Sequence, residues 1–204
     1  SAGAAAAPFQ NGSFDVGGPA CNQFNIPAGT NFTPGWTVSV GNIDWESSPP
    51  CGWAASNGSS SLDLVGNGGI GGVSQTFNTT PGVTYTVTFD MAGNFGGAPT
   101  IKPLTVTVDG VTQNYTFDTT GATGSAMGWT THSFTFVATS TTATINFVSD
   151  ITSGNAGAAL DNVSILPPGP PDATVAVPLN DAGWLAAVML ALAGGLTLRK
   201  RLRR

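Results

Sequence analysis

Cationic side chains are almost absent from most of this 204-residue chain. Five of the six lysine and arginine residues occupy the last six positions, and Lys102 is the only one before them. All eleven acidic residues precede that basic end. Because the body has no cations to neutralise phosphates, nucleic acid is excluded as a partner. Acidic polymers would be repelled as well, which leaves neutral polysaccharides, cations and other proteins.

Side chains that commonly carry catalysis are equally scarce, with one histidine, His132, and one glutamate, Glu46. A nucleophilic triad needs a base beside the nucleophile, and glycoside hydrolysis needs two carboxylates flanking the bond. Asp44 and Glu46 share strand parity, but nothing further marks them as catalytic. His132 has the parity of Phe134 and Phe136, which predicts a structural histidine at the edge of an apolar face. The sequence therefore predicts a protein that is not an enzyme.

The only two cysteines, Cys21 and Cys51, lie in the first quarter of the chain. In an exported protein such a pair favours one disulfide. Closing a loop of about 30 residues would add about 3–4 kcal/mol in the loop-entropy model. A metal site is the alternative, but it lacks a second cysteine pair and the histidine is remote.

Helical periodicity is absent before residue 182, and alternation of apolar residues with threonine and serine takes its place. This period of two is typical of strands with one buried face. Asp109-Gly110 lies between two such runs and predicts a type I′ hairpin. Many short strands separated by turns predict an antiparallel two-sheet β-sandwich over residues 8–166. The clearest strands are Thr84–Phe89, Leu104–Val108, Ser133–Phe136 and Thr144–Val148.

Beyond the predicted sandwich the composition changes twice. Residues 167–181 are rich in proline and predict a stiff spacer, and residues 182–198 form an uncharged apolar run of about 26 Å if helical. The basic residues 199–204 follow directly, which predicts a transmembrane helix with its basic end in the cytoplasm. A buried soluble helix is the alternative, but it leaves the cations unexplained. Residues 1–7 resemble a flexible mature N-terminus of an exported protein.

Several motifs occur in an ordered series along the predicted sandwich: Asn11–Asp15, Gly35-Trp36, Gly41–Asp44, Ser61–Leu64, Gly71–Phe77, Pro81–Tyr85, Gly128-Trp129 and Leu160–Ile165. This series resembles the bacterial choice-of-anchor C domain and the related DUF642 proteins of plant cell walls. The resemblance covers about residues 8–166. It implies a galactose-binding-like jelly roll, the fold of many carbohydrate-binding modules.

The resemblance also implies a structural calcium ion. In related domains the terminal strands lie together and acidic residues hold the ion, so Asp15 and Asp161 would be ligands here, with carbonyl groups near Asn11 and Ser13. Asp15 is expected to follow the first strand and Asp161 to begin the last. The alternative is that Asp161 caps a turn and Asp15 is merely exposed.

Glycan binding would use aromatic rings that stack on sugar faces and polar side chains that bind hydroxyl groups. Trp45 and Trp53 flank a loop that the predicted disulfide would brace, and they are the candidate stacking residues. Burial in the core is the alternative for both. The candidate polar partners are Asn42, Asp44, Glu46 and Asn94.

The C-terminal segment resembles the short sorting signals of Gram-negative bacteria. Val177, Pro178 and Leu179 match the start of one such motif, and Trp184 is placed as in another. In those signals a membrane helix and an arginine-rich end follow, as Arg199, Lys200 and Arg201 do here. The resemblance implies recognition by an exosortase-type enzyme and a location at the bacterial cell surface or in the extracellular matrix.

The sequence thus predicts a non-catalytic surface module that binds neutral polysaccharide. The alternative is a structural subunit that assembles with its own copies or with other matrix proteins. Strands with few charged residues favour this second interpretation, because lysine on an edge strand is a common guard against pairing between molecules.

Overall fold

A computed structural model of the protein describes residues 7–151 and 153–169. Eleven strands form in this part of the chain, and every pair of neighbouring strands is antiparallel. The strands are β1 (Gln23–Pro27), β2 (Asn31–Thr33), β3 (Trp36–Ser47), β4 (Ser60–Asp63), β5 (Gly71–Asn78), β6 (Thr84–Gly93), β7 (Ile101–Val108), β8 (Val111–Asp118), β9 (Thr130–Val137), β10 (Thr142–Ser149) and β11 (Ala158–Leu166).

Strand β3 belongs to both layers of the sandwich. Its first half pairs with β5 and β2, and its second half pairs with β4 and β1. The first sheet continues from β5 through β10 and β7 to β8, and the second from β4 through β11 and β6 to β9. One long strand therefore links the two sheets and carries residues of the core as well as residues of the outer surface.

The core lies between the sheets and is rich in aromatic rings. Phe77 of the first sheet meets Phe136 of the second with ring centroids 6.4 Å apart, and Phe89 meets Phe147 at 5.3 Å. Such edge-to-face contacts add to the gain from burying apolar area. The four strands predicted from alternation are confirmed as parts of β6, β7, β9 and β10, so the antiparallel β-sandwich is confirmed as well.

The outer side of the second sheet carries five buried acidic residues, called here the acidic face. Asp44 pairs with Asp63 and Glu46 with Ser61 across β3 and β4, while Asp161 pairs with Asp90 across β11 and β6. Directly paired residues point to the same side of a sheet. The β3–β4 and β8–β9 loops cover part of this side with a small apolar cluster that includes Trp53 and Met127. The acidic face comprises Asp44, Glu46, Asp63, Asp90 and Asp161.

Two local predictions are confirmed. Asp109 and Gly110 join β7 to β8 with positive φ values of 47° and 80°, as a type I′ turn requires. Cys21 and Cys51 form a disulfide with their Cα atoms 5.4 Å apart. It links the segment before β1 to the β3–β4 loop.

The expected position of Asp15 after a first strand is wrong. Among the described residues no strand precedes it, because the first one begins at Gln23 and Asp15 lies in a turn. Asp161 does not begin the last strand but is its fourth residue. A left-handed φ at Asn11 and at Phe14 bends the backbone, which prevents an extended strand there.

The predicted spacer after Gly169, the sorting motif, the transmembrane helix 182–198 and the basic end lie outside the described residues. Within residues 7–151 and 153–169, no helix has the length and apolar character needed to cross a membrane.

We expect the Cys21→Ser, Cys51→Ser double variant to fold with an unfolding free energy about 3–4 kcal/mol lower, because the unfolded chain gains loop entropy. Urea titration of the wild-type and variant proteins measures this difference. Wild-type protein in excess reductant is the control and should match the variant. A variant with unchanged stability would contradict a stabilising role for the disulfide.

Candidate functional site

An open cleft of about 430 Å³ lies beside the acidic face, at one end of the second sheet. Two larger depressions, of about 560 and 530 Å³, are formed by the β2–β3 turn and by apolar residues around Pro99 and Ile101. Neither of these brings two carboxylates together, so the first cleft is the candidate site. Its lining residues are Phe24, Asn25, Asp44, Glu46, Gly66, Asn67, Asn94 and Asn155.

Strand β1 supplies one wall of the cleft. Its pairing with β3 shifts register between Gln23 and Ile26, and Asn25 within this bulge has a positive φ of 58°. A bulge re-aims side chains that simple alternation would bury. Phe24 is consequently 58 % exposed, whereas Ile26 packs in the core. The bulge thus presents an aromatic ring at the rim of the cleft.

Strand β3 supplies the floor through Asp44 and Glu46. The backbone N–H of Asn25 donates to Asp44 Oδ1 at 2.7 Å. Glu46 is only 5 % exposed and has no hydrogen-bond partner among the described residues. Burial and the nearby charge of Asp44 raise the pKa of Glu46 to about 7, and burial also raises the pKa of Asp44. The floor is therefore a pair of carboxyl groups in a poorly solvated position.

Asn94 stands on the opposite wall and is held by the completely buried Asp63. Asn94 Nδ2 donates to Asp63 Oδ2 at 2.7 Å, and the N–H of Gly96 donates to Asn94 Oδ1 at 2.8 Å. The N–H groups of Val65 and Gly157 donate to Asp63 Oδ1. Burial raises the pKa of Asp63 to about 8. These bonds fix the orientation of the Asn94 amide.

Lys102 connects the two loops that bring Asn94 and Asn155 to the cleft. Its Nζ atom donates to Gly97 O at 2.7 Å and to Ala156 O at 2.8 Å. The side chain is buried and does not line the cleft. The ammonium group therefore fixes the position of the loops and leaves the cleft itself without a cation from lysine or arginine.

Three of the four predicted polar partners, Asp44, Glu46 and Asn94, meet in the cleft. Asn42 lies behind it, where its Nδ2 donates to Asn67 O at 2.9 Å and its Oδ1 accepts from Asn67 N at 2.6 Å. Asn42 therefore holds the loop that supplies Asn67. Sequence alternation grouped Asp44 and Glu46 correctly, because both lie on a regular part of β3.

The predicted stacking residues Trp45 and Trp53 are both buried, with exposed fractions of 2 % and 6 %. Trp45 faces the core and its Nε1 donates to Phe14 O, while the Nε1 of Trp53 donates to Ser61 Oγ. The expectation that they form an exposed platform is therefore wrong. Strand parity puts Trp45 on the side opposite Asp44, and Trp53 covers the acidic face as part of the outer apolar cluster.

Five cleft residues had no role in the sequence analysis. They are Phe24, Asn25, Gly66, Asn67 and Asn155. The sequence does not predict that Phe24 is exposed. Alternation cannot assign Phe24 to the buried or the exposed side of the strand unless the bulge at Asn25 is known. The loop asparagines come together only through folding.

The residues predicted to bind calcium converge only in part. Asp161 Oδ2 accepts from the N–H groups of Ser56 and Asn57, and Asp15 Oδ1 accepts from those of Ser59 and Ser60, so both carboxylates hold the same loop. Burial raises the pKa of Asp161 to about 7, with a smaller contribution from the charge of Asp15. This convergence of two like charges fits a cation.

The other two predicted ligands are arranged differently. The backbone carbonyl of Asn11 accepts from Trp36 Nε1 at 3.0 Å, and its side-chain oxygen accepts from Val16 N. Ser13 lies in the turn between Asn11 and Phe14. Among the residues that the structure describes, no group of three or more His, Cys, Asp or Glu side chains has the arrangement of a metal site.

The architecture defines an antiparallel two-sheet β-sandwich domain with an open polar cleft at one end of the second sheet. The chain belongs to the family described as a protein of unknown function, DUF642, whose model matches residues 7–166. No curated protein matches it significantly. The resemblance found in the sequence motifs is thereby confirmed.

Several solved structures are similar to this chain at low sequence identity. An arabinose-bound α-L-arabinofuranosidase, MgGH51, is 16 % identical with a TM-score of 0.50, over 80 % of this chain and 26 % of that one. TmCBM61 in complex with β-1,4-galactotriose is 17 % identical with a TM-score of 0.48, over 66 % and 90 %. The CBM22-1 xylan-binding domain of Paenibacillus barcinonensis Xyn10C is 18 % identical with a TM-score of 0.44, over 74 % and 96 %.

We expect stability to fall as the pH rises from about 5 to 8. Asp63, Glu46 and Asp161 keep protons in the folded state up to pKa values of about 7–8, whereas in the unfolded chain they lose them near their ordinary values. The folded state then binds more protons in this window, so ionisation favours unfolding. His132, whose pKa is lowered by burial, acts in the opposite direction.

Asp63→Asn should reduce this loss of stability, which urea titrations at pH 5 and pH 8 measure. The control is Asp118→Asn, because Asp118 is fully exposed and its pKa is lowered. An Asp63→Asn variant that loses as much stability as the wild type would contradict the raised pKa.

Proposed function

We propose that this domain is a non-catalytic module that binds polysaccharide in the cleft between β1, β3 and the Asn94 loop. One observation carries the proposal: an exposed phenylalanine ring stands at the rim of a cleft whose floor and walls are carboxylate and amide groups. An aromatic ring stacks on the C–H face of a sugar, while amides and carboxylates bind its hydroxyl groups. A volume of about 430 Å³ suits a small number of sugar rings.

The arrangement of the carboxylates supports binding rather than hydrolysis. Asp44 and Glu46 lie two residues apart on one strand and on the same side of the cleft. Glycosidases place their two carboxyl groups on either side of the scissile bond. The single described histidine, His132, lies on β9 beside Phe89 and Tyr115, away from these carboxylates.

The proposed location is the outside of a bacterial cell. The disulfide supports export, and the sequence of the C-terminal segment supports anchoring by a membrane helix and recognition by an exosortase-type enzyme. Neutral side chains cover most of the domain surface, since charged residues make up 8 % of the chain. A polysaccharide of the cell envelope or of the surrounding matrix would then be within reach.

Phe24→Ala should weaken polysaccharide binding about tenfold, because stacking on an aromatic ring contributes about 0.5–1.5 kcal/mol beyond area burial. The measurement is calorimetric titration of the full chain, in mild detergent, against a panel of neutral and charged oligosaccharides. Phe24→Leu keeps apolar area but lacks the ring, so it should bind more weakly than the wild type but no more weakly than Phe24→Ala. Val137→Ala is the control, because Val137 is exposed on β9 and far along the sheet order from the cleft.

Absence of binding to every glycan by folded protein would overturn this proposal and favour the structural subunit. That alternative rests on β8 and β9, which each pair with one neighbour over eight residues without a register shift. Neither strand contains lysine, arginine or proline to prevent pairing with a second molecule. Sedimentation of the same samples would then show ordered oligomers without sugar.

We also propose a structural calcium ion between Asp15 and Asp161. When bound, calcium would neutralise two carboxylates that converge on the β3–β4 loop. The loop bonds to both carboxylates support this placement, and the ion would need further oxygen ligands from the backbone or from water.

Calcium should raise the melting temperature of the wild-type protein relative to the same protein in chelator. Saturation at a hundredfold excess over the dissociation constant corresponds to about 2.7 kcal/mol. Asp15→Asn should abolish the calcium-dependent shift, whereas Asp118→Asn should preserve it. Identical melting temperatures with calcium and with chelator would refute the site.

A further inference from the structure

Glu46 is an exception among the buried acidic residues that the structure describes. Asp63 and Asp161 each accept three hydrogen bonds, and Asp90 accepts from Ser56, Thr131 and Asn162. Only 5 % of the Glu46 surface is exposed to solvent, yet no described residue donates a hydrogen bond to its carboxyl group. A buried acceptor without a donor costs about 1–3 kcal/mol. The protein therefore keeps an unpartnered carboxyl group at the floor of the cleft.

Glu46 lines the cleft, and its carboxyl oxygens are not fully enclosed. Every fully enclosed side-chain nitrogen or oxygen atom among the described residues has a hydrogen-bond partner, so the unpartnered oxygens of Glu46 must retain some contact with the open space that this residue lines. Asp44 adds a second carboxylate there, because one of its oxygens accepts from Asn25 N and no described residue donates to the other. When both carboxyl groups are ionised, a ligand group at this point would meet acceptors only.

No lysine or arginine of the described chain can neutralise these carboxylates within the cleft. Lys102 is the only lysine or arginine among the described residues, and its ammonium group donates to Gly97 O and Ala156 O, outside the cleft. A hydroxyl group can donate one hydrogen bond, whereas an ammonium group donates three and carries the compensating charge. The donor that best matches Asp44 and Glu46 is therefore a cationic amine.

We propose that Asp44 and Glu46 form a subsite for the unsubstituted amino group of a hexosamine, so that the preferred ligand is a glycan with free amines. This inference rests on the polysaccharide-binding function proposed above and specifies its ligand class. Phe24 would stack on the sugar ring and attract the ammonium group by a cation–π contact, and the amides of Asn25, Asn67 and Asn94 would bind hydroxyl groups.

The same geometry disfavours the acetylated sugar. An N-acetyl group replaces two N–H donors and a charge by an amide whose carbonyl oxygen is one more acceptor. Two carboxylates facing that oxygen would repel it, which is a source of specificity as effective as attraction to the correct ligand. A divalent metal ion is the alternative occupant of the subsite, and chelator removes it from the test.

Three β-1,4-linked tetrasaccharides that differ mainly at carbon 2 test the subsite. The glucosamine tetramer carries an amine there, the N-acetylglucosamine tetramer an amide and cellotetraose a hydroxyl group. We expect the full chain, titrated by calorimetry at pH 7 with chelator present, to bind the amine at least about tenfold more tightly than the other two. Added salt should weaken binding of the amine and leave that of cellotetraose nearly unchanged.

Glu46→Gln keeps the shape of the side chain and removes its charge. It should lower affinity for the glucosamine tetramer about tenfold and change that for cellotetraose less than about twofold. Asp118→Asn is the matched control, because it removes one charge at an exposed turn where Asp118 binds only Thr120. Circular dichroism verifies folding, and Asp44→Asn provides a second test if Glu46→Gln does not fold.

Each other outcome contradicts the inference in a recognisable way. Equal or tighter binding of cellotetraose or of the N-acetylated tetramer would overturn the amine subsite and leave polysaccharide binding in place. A similar loss for all three ligands in Glu46→Gln would show a structural role only. Equally tight binding of a lysine tetrapeptide would assign the subsite to protein amines. No binding of any glycan would remove the proposed function itself.

Discussion

Burial of five acidic residues on one side of the second sheet is the constraint on which the surrounding loops depend. A buried carboxyl group must find donors or lose its charge. The β3–β4 loop turns its N–H groups toward Asp161 and Asp15, and the segment before β11 does the same toward Asp63. The β3–β4 loop and the segment before β11 are far apart in the sequence, and both are held in place by hydrogen bonds to carboxyl oxygens.

The candidate site lies where buried carboxyl groups lack hydrogen-bond donors. Asp44 receives one N–H, from the bulge of β1, and Glu46 receives none from the described residues. The bulge also exposes Phe24 next to these two residues. One local irregularity in β1 therefore accounts for both the open aromatic ring and the wall that faces the carboxylates. The disulfide at Cys21 anchors the chain just before this irregularity.

Asp63 and Lys102 stabilise the loops of the cleft without lining it. Asp63 fixes the amide of Asn94, and Lys102 joins the two loops that carry Asn94 and Asn155. The side chains of Asp63 and Lys102 are both buried, and neither lines the cleft. A binding site whose walls are loops needs such supports, because loop ordering is otherwise a cost of binding.

The β-sandwich, the hairpin at Asp109 and the disulfide could be predicted from the amino-acid sequence, because alternation, turn residues and cysteine count are local signals. The sequence also brought Asp44 and Glu46 together, because residues two apart on a regular strand share a side. The burial of Trp45 and the exposure of Phe24 follow from how the strands pack in the folded domain. Both depend on which side of β3 faces the core and on a bulge that adds one residue to β1. The lack of donors at Glu46 is likewise a property of the folded loops, which no local pattern of residues records.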